Sequence, residues 1–118
     1  MTAFQRTMTG HGVLMIFSAL LFGLGLWMFL IGGFELYPGK IIEFELPGTA
    51  EGWVKAHVGP ALNGMMVIAV AYVLPNLNFI EKNEKILGYI IVLDGWSNVL
   101  FYFFGNIYNI TDICILYY

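Results

Sequence analysis

Residues 12–34 contain no charged side chain, and only small residues and Ser18 interrupt their run of large apolar ones. As an α-helix rising about 1.5 Å per residue, the stretch is roughly 34 Å long, enough to cross a hydrocarbon layer of about 30 Å. Two similar stretches follow. Residues 57–80 carry Pro60 in the predicted first turn, where a missing N–H costs nothing, and Pro75 near the end. Residues 86–108 carry Asp94, Asn98 and Asn106. The pattern predicts an all-α integral membrane helical bundle, a single transmembrane domain over 1–118 with helices at about 12–34, 57–80 and 86–108.

Composition agrees. Of 118 residues, 59% are hydrophobic and 11% charged, against about 25% charged in an ordinary soluble domain. So few polar groups cannot clothe a soluble globule, and the pattern excludes a nucleic-acid binder, a disordered tail and a disulfide-stapled module. The lone Cys114 gives no internal disulfide. The first apolar run exceeds a signal peptide's core of about 7–15 residues, and no small-x-small cleavage site follows it. It reads as a retained helix. Arg6, Lys82 and Lys85 fall on one side of the membrane and Lys40 and Lys55 on the other, which favours a cytoplasmic N-terminus.

The connections differ in kind. Residues 35–56 form a polar and aromatic loop in which 40–46 alternate as an extended or interfacial segment. Residues 81–85 read as a tight charged turn of an antiparallel helical hairpin. Ala19 and Gly23, four apart, predict a small-residue helix contact, and Trp53 and Tyr37 suit the membrane interface. Asn109 and Thr111 match the N-glycosylation tripeptide, which means something only in a secretory context.

The polar residues inside the spans carry the functional information. A carboxylate at mid-span costs about 2.5–3.5 kcal/mol to insert, so Asp94 should face protein and have a partner. Asn98 and Tyr102 follow at i+4 and i+8, which makes a stripe on the third helix. Interhelical hydrogen bonding explains Asn98 alone. A phenol on the same stripe points to the wall of an internal site. Counted from the predicted helix ends, Asn63 and Tyr102 both lie roughly 9 Å below the far surface, a convergent pair of the kind a small-molecule site requires.

His11 opens the first predicted helix and His57 the second, on opposite membrane faces and on the order of 30 Å apart. They cannot share one metal within a subunit, which disfavours a bis-histidine haem. A single-histidine haem with an open axial position remains. Interfacial anchoring or helix capping is the plainer reading of either side chain.

Five stretches together resemble the bacterial styrene oxide isomerases: Gly-His-Gly-Val-Leu-Met-Ile-Phe at 10–17, Ile-Ile-Glu-Phe at 41–44, Glu-Gly-Trp at 51–53, His-Val-Gly-Pro-Ala-Leu-Asn-Gly-Met-Met-Val-Ile-Ala-Val at 57–70 and Ile-Val-Leu-Asp-Gly-Trp-Ser-Asn at 91–98. The resemblance includes polar motifs within apolar helices and runs nearly continuously to Gly105. It implies a multi-pass enzyme of the bacterial inner membrane that isomerises styrene oxide to phenylacetaldehyde in styrene degradation. It also implies a homotrimer with ferric haem b between subunits. The family's haem-ligating histidine falls on His57, and its substrate-orienting asparagine and tyrosine fall on Asn63 and Tyr102. Asp94 and Asn98 are placed around that site or in inter-helix bonding.

The chain departs from the family after Gly105. The resemblance implies a fourth transmembrane helix beyond a Gly/Pro/Asn-rich loop, for which the remaining residues here leave no room, so a truncated or frameshifted copy, or a fragment, is expected. A non-catalytic haem-binding subunit or a structural membrane anchor is the rival reading.

Overall fold

The computed structural model describes residues 2–107. Tyr108, Asn109, Thr111 and Cys114 lie outside these, and with them the end of the third predicted helix and the glycosylation tripeptide. Within them run helix α1 (Ala3–Ile31), strands β1 (Gly33–Tyr37) and β2 (Lys40–Glu43), helix α2 (Ala50–Val73), a 3-10 turn (Leu74–Leu77) and helix α3 (Glu81–Ile107). All three α-helices are long and apolar enough to cross a membrane. Large apolar residues cover their outer faces: Leu30, Leu62, Leu93 and Phe101 are each at least 60% exposed. Such a surface is a liability in water and ordinary against lipid, which is consistent with a membrane protein.

The helices begin earlier than the apolar stretches do, because their ends are set by capping and not by hydropathy. Thr2 closes a capping box: its hydroxyl accepts the Gln5 N–H at 3.1 Å, and Gln5 Oε1 accepts the Thr2 N–H at 2.9 Å. α1 therefore starts nine residues before the predicted boundary and stops at Gly32, whose left-handed φ of 73° suits a helix C-cap. Thr49 caps α2 by accepting the Gly52 N–H at 3.0 Å. That early start puts Pro60 in the helix interior, where it removes a rung of the backbone ladder, and corrects its expected place in the first turn.

The predicted charged turn at 81–85 is likewise helix. Glu81 and Glu84 occupy the first turn of α3, where carboxylates favour the positive end of the helix dipole, and Glu81 pairs with Lys85 at 3.2 Å. The chain reverses instead through the 3-10 turn and Asn78, which takes a left-handed φ of 56°. The extended reading of 40–46 holds for Lys40–Glu43, which pairs antiparallel with β1. This hairpin is the one departure from an all-α pattern among the described residues.

Met8, Met15, Val67, Ala71, Leu74, Val92 and Val99 form the buried core. α1 and α2 pack closest, and small residues set the register. A Cβ added at Gly64 would stand 2.5 Å from the Gly12 carbonyl oxygen, so the two backbones nearly touch there. Further along the same seam, the Trp53 ring lies against Gly25 and the His57 ring against Gly23. Trp53 is 5% exposed, its indole N–H bonded to the Pro47 carbonyl at 3.0 Å, so its ring packs within the protein. Tyr37 is exposed.

Candidate functional site

His57 stands on α2, one turn beyond Trp53, and its half-buried ring docks on α1. Its Nδ1 lies 2.8 Å from the Ala19 carbonyl oxygen. The expected small-residue contact at Ala19 and Gly23 is therefore real, but its partner is the histidine ring. A Cβ at Gly23 would sit 2.5 Å from Nδ1 and 2.6 Å from Cε1. With Nδ1 engaged, Nε2 has no hydrogen-bond partner among the described residues. One anchored nitrogen and one free nitrogen are what an iron-ligating histidine needs, so the residues present fit a single-histidine haem. No cluster of three or more His, Cys, Asp or Glu side chains able to hold a metal ion occurs among the described residues.

Asn63 faces the other neighbour, α3. Asn98 Nδ2 donates to Asn63 Oδ1 at 3.4 Å, a long bond, and Tyr102 packs over Gly59 one turn away. The α3 residue level with Asn63 is thus Asn98. Tyr102 lies one helical turn along, about 5–6 Å, where the predicted boundaries had placed it level with Asn63. The error came from counting depth between hydropathy boundaries, whereas the register follows from how α2 and α3 pack. Asn98 takes the inter-helix role expected of it. Asp94 does not: it is exposed, and it has no hydrogen-bond partner among the described residues.

His57 and Asn63 project about 120° apart around α2 at about 100° per residue. The structure therefore brings Asn63, Asn98 and Tyr102 together on one flank of α2 and sets His57 on another. His11 is corrected as well. It lies more than two turns inside α1, and since His57 docks between Ala19 and Gly23, the two are separated by roughly 15 Å along α1, half the expected distance. They still cannot meet on one ion. His11 Nδ1 accepts the Trp96 indole N–H at 3.0 Å, the rings crossing edge-on with centroids 6.3 Å apart.

Asn106 is a further polar anchor. It is 8% exposed, and its Oδ1 accepts the Thr49 N–H at 3.0 Å, tying the end of α3 to the N-cap of α2. That bond holds in place the two helices that present Asn63 and Tyr102. Sequence reasoning placed Asn106 in a span without assigning it a role, and it missed the Ala19 carbonyl, because a backbone acceptor has no sequence signature. The available hint was the Gly23-x-Gly25 spacing, two gaps in α1 that receive the two large rings of α2.

The family model described as styrene oxide isomerase matches residues 4–112. A styrene-oxide isomerase from Pseudomonas fluorescens is 67% identical over 104 residues, which cover 88% of this chain and 62% of that protein. The chain thus spans less than two thirds of the length of the curated relative it matches. Matched residues 4–112 include His57, Asn63, Asn98 and Tyr102.

Proposed function

The chain belongs to the styrene oxide isomerase family, and from that premise we propose that it isomerises an aryl epoxide, styrene oxide, to phenylacetaldehyde. The reaction is redox-neutral: the benzylic C–O bond breaks, and a hydride moves from the terminal carbon to the benzylic one as the carbonyl forms. We place the protein in a bacterial inner membrane, as a homotrimer with haem b between subunits.

The observation that carries the haem reading is His57, held at Nδ1 by the Ala19 carbonyl and free at Nε2. A ferric haem held there supplies a Lewis acid for an epoxide oxygen. Asn63 and Tyr102 orient the epoxide by hydrogen bonds. Asn98 supports this by occupying Asn63 Oδ1, so that the Asn63 amide N–H groups are left to donate to the substrate. The substrate's aromatic ring spreads the positive charge that develops at the benzylic carbon. Water reaching that carbon would give a diol, and the apolar flanks of α2 and α3 keep it away. Because His57 and the Asn63–Tyr102 pair occupy different flanks of α2, a site shared between copies fits this chain: His57 from one and the orienting pair from its neighbour.

The test is to incubate membranes containing the chain with styrene oxide, measuring phenylacetaldehyde and the haem absorption band for the wild type and for His57→Ala. Both signals should vanish together in the variant. Aldehyde formation that survives the loss of His57 and of haem would sink the proposal.

A further inference from the structure

The two histidines are held in opposite tautomers, and the contacts that hold them separate a ligand from a non-ligand. The Ala19 carbonyl can only accept, so the 2.8 Å contact requires the proton on His57 Nδ1. The Nε2 lone pair is then exposed for coordination. The Trp96 indole can only donate, so the 3.0 Å contact at His11 requires an unprotonated Nδ1 there. A neutral His11 must then carry its proton on Nε2, and it has no nitrogen free to bind iron.

From this we infer that Ala19 and Gly23 are positioning residues that make His57 the haem ligand, while Trp96 withholds His11 from that role. The inference rests on the haem reading given above and names the parts of α1 that enforce it. Gly23 is the steric half of the device. Any side chain there would strike the imidazole at Nδ1 and Cε1, drive the ring off the helix and break its bond to the Ala19 carbonyl. Gly10, on the same helix, has nothing within 4 Å of an added Cβ and serves as the matched control. His57 and His11 are the chain's only two histidines, so each ring can be assigned without ambiguity.

The experiment uses the full chain in detergent, labelled with 15N-histidine and free of haem, with His57→Ala and His11→Ala as assignment variants. Ring nitrogen shifts should report the proton on Nδ1 for His57 and on Nε2 for His11. Haem is then titrated into wild type, Gly23→Ala, Gly10→Ala and His57→Ala. Losing the support of a ligating histidine typically weakens metal binding about 10–100-fold, and that is the loss expected for Gly23→Ala, with Gly10→Ala unchanged. An Nε2-protonated His57, or wild-type haem affinity in Gly23→Ala, would overturn the inference. The nitrogen shifts come from the wild-type ring, so they decide the matter even if Gly23→Ala fails to fold. Haem binding that is equal in wild type and His57→Ala would overturn the haem reading itself, and the positioning role with it.

Discussion

Adding one methyl group at Gly64 should destabilise the bundle more than any other glycine-to-alanine substitution along the α1–α2 seam. The new Cβ would lie 2.5 Å from the Gly12 carbonyl oxygen, 2.7 Å from Ile16 Cγ1 and 3.1 Å from the Ile16 backbone nitrogen. Two of these three obstacles are backbone atoms, so no rotamer change relieves them. Reaching ordinary contact distances of about 3.5 Å requires the two helices to part by about 1 Å. Overpacking of this kind costs about 1–3 kcal/mol. Alanine also gains up to about 1 kcal/mol over glycine in helix propensity, but Gly10→Ala gains the same in open space, so the difference between the two variants isolates the packing cost. Unfolding of the purified chain in detergent, followed by circular dichroism as sodium dodecyl sulfate is added, should place Gly64→Ala about 2 kcal/mol below Gly10→Ala. That is a factor of about 30 in the folded-to-unfolded ratio. A difference under about 0.5 kcal/mol, the range of surface substitutions, would show that the backbones do not meet at Gly12 and Gly64.

Two further outcomes test the α2–α3 side. Asn106→Ala removes the bond to the Thr49 N–H at the N-cap of α2 and should cost about 0.5–1.5 kcal/mol in the same titration, with faster amide exchange at Thr49. Unchanged exchange there would rule out the tie. On the proposed mechanism Tyr102→Phe would remove one hydrogen bond to the substrate, of about 1.4 kcal/mol, so turnover of styrene oxide should fall about tenfold while haem affinity holds. An equal loss of both would assign the phenol a structural role.

Much of this protein was legible in its sequence, for reasons that are local. Charge-free runs long enough to cross a bilayer announce helices whatever their neighbours do, because in hydrocarbon the backbone must satisfy its own hydrogen bonds. The cost of burying polar groups also singled out Asn63, Asp94, Asn98 and Tyr102 as residues that need a reason to be where they are; the structure brings Asn63, Asn98 and Tyr102 to one face of α2 and leaves Asp94 exposed. The starts of α1 and α2 were misplaced by nine and seven residues, because hydropathy follows the apolar run while a helix begins at its cap, at Thr2 and Thr49.

Register was the decision of the tertiary structure. Which residue of α3 stands beside Asn63, how far His11 lies from His57, and which nitrogen of each ring is engaged all depend on how closely helices approach one another. That approach is set where Gly12 meets Gly64 and where Gly23 and Gly25 receive the rings of His57 and Trp53. A glycine in a sequence says only that a side chain is missing. The partner that fills the gap comes from another helix, and it was the fold that put the imidazole of His57 there, against the carbonyl of Ala19.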